Sequence, residues 1–320
     1  MKRFFRSVLL PAALIGAIAL PMQVQAQAYP SKRITLLIGV PPGGPLDLIP
    51  RLIADRMKDS LGVPIIPENR PGAAALISFE AARVAPPDGY TLVVTNAGLI
   101  INKVMTKSFT ADPVKDFTHI GQMTNSAKVF LAGANAPYKT LNEFLAYARA
   151  NPGKINFGTI YPLDTALLEW AANIKLNLVQ YNASVQQLPA LAGGVLDGAL
   201  DVYQISKTFV DQGRARFLAV GTAKRFGPLP DVPAMAEGVP GYEAGSNFFG
   251  LSGPAGIPGD IVARLNATMR EAVNAPDIRK KLIDQGFDPI AGSPEELRSL
   301  IARELETALK SAKLAGITAQ

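Results

Sequence analysis

The sequence predicts an α/β fold with mainly parallel sheets, because short apolar strand patterns alternate with amphipathic helix patterns along the chain. The helix patterns carry apolar residues three and four positions apart, as in Leu265, Met269 and Val273. Hydrophobic residues make up 48% of the 320 residues and charged residues 18%, which indicates a sizeable buried core and not a disordered chain. This length corresponds to about two domains.

The strands are predicted from short apolar runs bounded by turn-forming residues. They are 34–39, 64–67, 91–95, 119–124, 128–132, 155–158, 176–181, 200–204 and 217–221. The predicted helices include 48–60, 74–84, 141–150, 164–172, 185–193, 260–273 and 294–314. The last of these helices is predicted to open with a capping box, in which Ser293 precedes Pro294 and Glu296 stands three residues after the serine.

The first 26 residues have the pattern of a secretory signal peptide. Lys2, Arg3 and Arg6 precede a short apolar stretch, and small residues end the segment at Ala26. The apolar stretch is interrupted by prolines and is shorter than the roughly 20 residues that a membrane span needs. The chain has no cysteine, so it carries neither a disulfide nor a lipid on a cysteine. We therefore expect export, cleavage near Ala26 and a periplasmic location.

The residue inventory excludes several classes of function. The formal net charge is +6, and three of the positive charges lie in the signal segment, so no nucleic-acid partner is expected without a basic cluster. His119 is the only histidine and lies in a predicted strand, which argues against a catalytic triad. A cysteine nucleophile and a His/Cys metal cluster are impossible, and we expect no cofactor and no metal. An enzyme with a carboxylate-based site stays open.

The turn GVPPGGPLDL at residues 39–48 predicts an anion site. It follows an apolar strand, and glycines there allow a ligand to approach the main chain while the next helix offers free N–H groups. The spacing fits neither a phosphate loop nor a dinucleotide fingerprint. Pro50 fits only the first helical turn, which places Asp47 near the N-cap beside Pro42, Gly43 and Gly44. The alternative is an ordinary strand-to-helix turn.

A series of short motifs extends over nearly the whole mature chain. In order they are Tyr29-Pro30-Ser31-Lys32, Pro41-Pro42-Gly43-Gly44, Glu68-Asn69-Arg70-Pro71-Gly72-Ala73, Pro87-Asp88-Gly89-Tyr90, Pro113-Val114-Lys115-Asp116-Phe117, Gly193-Gly194 with Asp197 and Asp201, Leu229-Pro230-Asp231-Val232-Pro233, Pro240-Gly241-Tyr242-Glu243 and Gly253-Pro254-Ala255-Gly256. By this order and coverage the sequence resembles the extracytoplasmic substrate-binding receptors of tripartite tricarboxylate transporters, the Bug family.

The resemblance implies a two-lobed periplasmic binding protein fold of type II-like architecture, with a ligand cleft between the lobes. It divides the chain into a signal peptide at 1–26, lobe I at 27–124, lobe II at 125–243 and a return to lobe I at 244–320. The crossings are expected at 119–132 and 242–254, the second with glycines for hinge freedom. The implied function is capture of a small organic carboxylate, without catalysis, by a monomer that hands it to membrane transporter subunits.

The resemblance also implies ligand contacts from backbone amides and short polar side chains. Together with Asp47 from the glycine-rich turn, the candidates in lobe I are Pro42, Gly43, Gly44, Ala74, Ala75, Asn96 and Ala97. In lobe II they are Gly158, Thr159, Ser184 and Asp201. The alternatives are that Asn96 only bonds its own turn and that Asp201 only satisfies nearby donors. Glu68 and Arg70 are expected to pair with each other, and Trp170 to lie in the core.

The sequence departs from the family pattern mainly in lobe II. Where relatives carry a polar loop ending in histidine, this chain reads GTIYPLDT at 158–165, and Asn182 replaces a lysine. Tyr161 and Tyr203 are predicted to reach the cleft, and Asp164 either faces it or caps a helix. These changes predict a monocarboxylate with an apolar or aromatic body rather than citrate. A sensor that presents a carboxylate to a signalling partner remains an alternative.

Overall fold

The computed structural model describes residues 29–181, 183–222, 224–242, 244–314 and 316–319. The predicted signal peptide lies outside these residues. The described chain forms two β-sheets, each flanked by helices, which confirms the predicted two-lobed α/β architecture. We call the six-stranded sheet with its helices lobe I and the five-stranded sheet with its helices lobe II. No helix of the described residues is both long and apolar enough to cross a membrane.

In chain order the strands are β1 Ile34–Ile38, β2 Ile65–Asn69, β3 Thr91–Thr95, β4 Phe117–Ser126, β5 Lys128–Gly133, β6 Asn156–Thr159, β7 Asn177–Gln180, β8 Gly198–Val202, β9 Ala215–Val220, β10 Asn247–Pro254 and β11 Asp288–Pro289. The sheet of lobe I has the strand order β11-β4-β10-β3-β1-β2, and the sheet of lobe II has the order β7-β6-β8-β5-β9.

The expectation of mainly parallel sheets needs correction, because both sheets are mixed. Four of the nine pairings between the described strands are parallel. The parallel pairs join strands connected by helices within one lobe, as β1 joins β2 and β3. The strands that carry the chain between the lobes, β4, β5 and β10, pair antiparallel with their neighbours instead.

The helices are α1 Pro45–Leu61, α2 Leu76–Arg83, α3 Ala97–Met105, α4 Leu141–Ala150, α5 Pro162–Ala172, α6 Ser184–Ala192, α7 Tyr203–Asp211, α8 Met235–Gly238, α9 Gly259–Asn274, α10 Pro276–Asp284 and α11 Pro294–Leu314. The capping box of α11 is confirmed, since the Ser293 N–H donates to Glu296 Oε2 at 2.7 Å and the Glu296 N–H to Ser293 Oγ at 3.2 Å. The predicted strand at 200–204 ends at Val202, because α7 begins at Tyr203.

The core of lobe I lies on both faces of its sheet. In β1, Ile34 and Leu36 pack with α1 and α9 on one face, and Leu37 packs with Phe79 and Leu99 on the other. A strand buried on both faces reads as a continuous apolar run, which is how β1 appears in the sequence. Lobe II has the same two-faced arrangement around β5.

The chain passes between the two sheets twice. Strand β4 ends at Ser126 and β5 begins at Lys128, so only Ala127 separates the sheets in the first passage. The second passage reaches β10 of lobe I through Gly245 and Ser246. These passages fall within the predicted crossings, while the exact lobe boundaries stay a prediction.

Candidate functional site

A cavity of about 380 Å³, which we call the cleft cavity, opens where lobe I faces Tyr161 of lobe II. Loops at strand ends of lobe I form most of its wall, as expected for ligand sites in α/β proteins. None of its lining residues carries a charge, and Asn96, Tyr161 and Asn247 are the polar ones. It is lined by Gly39, Val40, Pro41, Leu46, Gly72, Ala73, Ala74, Ala75, Asn96, Ala97, Gly98, Ile101, Tyr161, Asn247 and Phe249.

The loop 72–75 has an unusual backbone. Ala73, Ala74 and Ala75 have φ values of 45°, 51° and 72°, in the left-handed region that alanine rarely adopts, and Gly72 precedes them with φ 133°. The predicted helix 74–84 therefore begins only at Leu76, after a single 3₁₀ turn. Such strain persists where surrounding structure enforces it, and it concentrates at binding sites.

The N-terminus of α3 stands beside this loop. Asn96 Oδ1 accepts from the Gly98 N–H at 2.8 Å, so Asn96 makes the turn bond that was the alternative to ligand contact, as the N-cap of α3. Asn102 Nδ2 donates to the Ala74 carbonyl at 3.0 Å and ties the loop to the helix. The Leu99 N–H donates to the Asn96 carbonyl at 3.1 Å, so of the first three residues of α3 only Ala97 keeps its N–H without an acceptor among the described residues, at the positive end of the helix dipole. The loop 72–75 and the start of α3 thus line a cavity without charged side chains.

The glycine-rich turn differs from its prediction at Asp47. Helix α1 begins at Pro45 with Gly44 as N-cap, so Asp47 lies in the first turn and Pro50 inside the helix. Asp47 is buried and accepts from the Gly43 N–H at 3.0 Å, Arg51 Nε at 2.7 Å and Asn69 Nδ2 at 2.8 Å. The carboxylate of Asp47 therefore stabilises the turn through these hydrogen bonds and is not the N-cap of the helix. The helix begins two residues before Asp47, because Pro45 suits the first helical position.

Burial alone would raise the pKa of Asp47, but the hydrogen bonds from Asn69, Gly43 and Arg51 outweigh burial and hold this pKa below its usual value. Pro41 and Leu46 line the cleft cavity. The residues between them include Pro42, Gly43 and Gly44, which are exposed and do not line it. Their contact with a ligand stays a prediction.

The expected pair of Glu68 and Arg70 is confirmed, with 2.8 Å between Arg70 Nε and Glu68 Oε1.

The polar candidates of lobe II form an internal network. Asp201 is fully buried and accepts from Ser184 Oγ at 2.5 Å, Gln187 Nε2 at 3.0 Å and the Val202 N–H at 2.6 Å. Burial raises the pKa of Asp201 to about 6 despite these bonds. This geometry favours the alternative in which Asp201 satisfies nearby donors.

Two further candidates end strand β6. Thr159 is buried and its hydroxyl lies 2.7 Å from Thr165 Oγ1 while it accepts from the Tyr161 N–H at 2.9 Å. Gly158 is buried against Leu196 and Gln187. The hydrogen bonds of Thr159 hold the start of α5 in place and thereby position Tyr161, which lines the cleft cavity.

A second cavity of about 280 Å³, which we call the hinge cavity, shares Ala97, Ile101 and Tyr161 with the cleft cavity. The residues that depart from the family pattern, Ile160 to Asp164, all line it. Its other walls come from α3, from β5 and from α11 of lobe I. They include Ile100, Met105, Lys128, Glu304 and Ala308.

Asp164 neither caps α5 nor carries a free charge. Its Oδ2 lies 2.6 Å from Lys128 Nζ, and its Oδ1 accepts from the Gly245 N–H at 2.9 Å. Lys128 Nζ also lies 4.5 Å from the centre of the Tyr161 ring. The ion pair is buried and joins lobe II to the second passage between the lobes.

Two aromatic predictions were wrong. Tyr203 is buried against Phe217 and Phe226 in lobe II and does not line either cavity. Trp170 was expected in the core but is 53% exposed, with Lys310 Nζ 4.6 Å from its ring centre. Its apolar neighbours in sequence, Leu167 and Leu168, occupy the buried face of α5, and Trp170 lies outside that face.

Sequence reasoning missed Lys128, Asn247, Phe249 and Glu304. Lys128 had a usable signal, because a lysine opens an otherwise apolar strand, where an unpaired charge would be costly. Glu304 had none, since its helix shows an ordinary exposed pattern and only the fold brings it to the hinge.

The protein consists of two mixed sheets joined by two passages, and a cavity lined largely by backbone loops lies between them. This arrangement defines a two-lobed ligand-binding protein. The sequence profile of the tripartite tricarboxylate transporter family receptor matches residues 49–314. A UPF0065 protein from Pseudomonas sp. (strain P51), in the tcbD-tcbE intergenic region, is 32% identical over 94% of this chain and 91% of its own length.

Two solved structures share the fold over nearly the whole chain. R. palustris Rpa4515 with adipate is 30% identical, covers 91% of this chain and 100% of its own, and gives a TM-score of 0.74. MatC from Rhodopseudomonas palustris with bound malate is 28% identical, covers 88% and 99%, and gives 0.70. The chain belongs to the tripartite tricarboxylate transporter receptor family, as the resemblance to Bug proteins predicted.

Proposed function

We propose that the protein is a periplasmic receptor that captures a small organic monocarboxylate with an apolar or aromatic body and delivers it to membrane transporter subunits. Membership of the receptor family supports solute binding, and relatives are described with adipate and malate bound. Export with cleavage near Ala26 and a monomeric state belong to the same proposal.

The observation that carries the proposal is the wall of the cleft cavity. The strained loop Ala73–Ala75 and the capped N-terminus of α3 supply main-chain N–H groups and a helix dipole, which suit one carboxylate. Apart from Tyr161 and Asn247, the rest of the lining is apolar, with Val40, Ile101 and Phe249 among it. Such a cavity desolvates an apolar body at a gain of about 25 cal/mol per Å² buried.

A second carboxylate is disfavoured at the far side of Tyr161. Asp164 and Glu304 both line the hinge cavity there, and Lys128 already pairs with Asp164 at 2.6 Å. A citrate-like ligand would bring a further negative charge against these acids in a partly dry space. This charge pattern supports the preference for one carboxylate.

A thermal-shift panel at constant ionic strength tests the proposal. It compares benzoate and hexanoate with citrate, malate, glutarate and adipate, and native mass spectrometry of freshly purified protein identifies any retained small molecule. We expect the apolar or aromatic monocarboxylates to give the largest rise in Tm. A larger rise with citrate or a short dicarboxylate would overturn the monocarboxylate preference, and no rise with any carboxylate would overturn carboxylate capture itself.

A further inference from the structure

Three charged side chains from three different elements meet at the inner end of the hinge cavity. Lys128 opens β5, Asp164 lies in the first turn of α5 and Glu304 lies in the middle of α11. They converge on Gly245. A Cβ built there would lie 2.8 Å from Glu304 Oε2, 3.2 Å from Lys128 Nζ and 3.5 Å from Asp164 Oδ1. The glycine is required because a side chain would enter this cluster.

The hydrogen bonds of the cluster leave one oxygen without a donor. Asp164 is satisfied by Lys128 and by the Gly245 N–H, and Glu304 Oε1 accepts from the Ser246 N–H at 2.9 Å. Among the described residues, none donates to Glu304 Oε2. Lys128 carries one positive charge for two carboxylates, so an ionised Glu304 leaves one net negative charge beside an apolar space. Burial accordingly raises the pKa of Glu304 above its usual value, although the charge of Lys128 opposes this.

The rest of the hinge cavity is mainly apolar, with Gln180, Thr307 and Ser311 as its uncharged polar side chains besides Tyr161. Ile100, Met105, Leu163 and Ala308 line it, and it adjoins the cleft cavity across Tyr161 and Ile101. A molecule whose carboxylate binds at the α3 N-terminus would therefore direct its body past Tyr161 and its far end toward Glu304.

We propose that the hinge cavity receives the far end of the ligand and that this end carries an ammonium group, which Glu304 Oε2 accepts. This inference rests on the proposed carboxylate function and deepens it, because it names an ω-ammonium carboxylate with an apolar spacer as the ligand class. The ammonium group neutralises the uncompensated charge, and the spacer covers the apolar walls between the two ends.

Isothermal titration calorimetry with matched chain-length series tests this. The probes are 6-aminohexanoate and 8-aminooctanoate, each compared with the plain monocarboxylate and the dicarboxylate of the same length. We expect at least one amino acid of the series to bind tenfold or more tightly than both of its matched partners. In Glu304→Gln this advantage should fall to less than threefold, while the Kd of the plain monocarboxylate stays within twofold.

Glu306→Gln is the matched control, because Glu306 is exposed two residues further along α11 and does not line the hinge cavity. It should keep the wild-type preference. Equal or weaker binding of the amino compounds in the wild type, or an advantage that survives in Glu304→Gln, would overturn the inference and leave carboxylate capture intact. Binding of no probe in either series, together with a flat thermal-shift panel, would overturn the proposed function as well.

Discussion

Gly98 allows the N-terminus of α3 to pack directly against the strained alanine loop. A Cβ at this position would lie directly against the Ala74 carbonyl oxygen and 2.8 Å from Asn96 Oδ1. Both walls of the cleft cavity that offer main-chain donors therefore depend on the absence of a side chain at one residue. This close packing of the loop against the helix holds their main-chain N–H groups in fixed positions. A site built from side-chain ligands would not need the backbone segments to approach each other so closely.

Gly98→Ala should weaken carboxylate binding by more than tenfold, because the added methyl group separates the loop from the helix. Calorimetry with the tightest ligand of the thermal-shift panel measures the change. Gly259→Ala is the control, since Gly259 begins α9 and a Cβ there meets nothing within 4 Å. Wild-type affinity in a folded Gly98→Ala protein would show that the loop and the α3 N-terminus do not hold the ligand.

His119 offers a titration that can be observed by itself, because the chain has one histidine. It is 5% exposed in β4, with Nδ1 3.0 Å from Ser252 Oγ, and burial lowers its pKa to about 4 from the usual 6.5. Between these two values the unfolded state binds a proton that the native state does not. The stability that this group contributes is therefore present above about pH 6.5 and is lost as pH falls toward 4, by up to about 3 kcal/mol.

Proton NMR of tag-free protein should show the imidazole resonance of His119 titrating with a midpoint near pH 4. Replacement by glutamine should reduce the loss of stability on acidification between pH 6.5 and 4. Asp201 has a raised pKa of about 6 and changes stability in the opposite direction over an overlapping range, so the NMR midpoint is the direct measure. A midpoint near 6.5 would contradict the burial of His119.

At the level of single residues, sequence reasoning brought together candidates that are local in the chain. Ala74, Ala75, Asn96 and Ala97 all line the cleft cavity, because each stands in a loop that follows a recognisable strand, and their contact with a ligand stays a prediction. Asp47 was misplaced because Pro45 and Pro50 both suit a first helical turn, and only the fold decides between them.

The contact between α5 and α11 links the two lobes at the level of secondary structure elements. Helix α5 belongs to lobe II, α11 belongs to lobe I, and Lys310 Nζ lies 4.6 Å from the centre of the Trp170 ring. The sequence predicted both helices with nearly correct bounds. It could not predict their contact, because the exposed face of each helix shows no apolar pattern that marks a partner.

Trp170 is the only tryptophan, so its fluorescence should report movement between these helices. We expect ligand binding to change its emission intensity, and we expect Lys310→Met to change the emission of the free protein and to reduce the ligand-induced change. Lys313→Met in the same helix is the control. Unchanged emission during a titration that calorimetry shows to be saturating would contradict a shift of α11 against α5.

The whole molecule is two lobes connected by two short passages. Ala127 alone separates β4 from β5, and Gly245 and Ser246 lead into β10. The sequence predicted this arrangement through its family motifs. The sequence analysis did not predict that the sheets are mixed. The direction of β4, β5 and β10 depends on how the passages join the lobes, and no local sequence pattern indicates this.

Two connected lobes with the ligand between them should close when the ligand binds. Small-angle X-ray scattering measures this directly, on the mature protein alone and at saturation with the carboxylate that raises its Tm most. A smaller radius of gyration with ligand is the result that this account predicts. The same radius of gyration at confirmed saturation would contradict capture of the ligand by closure of the two lobes.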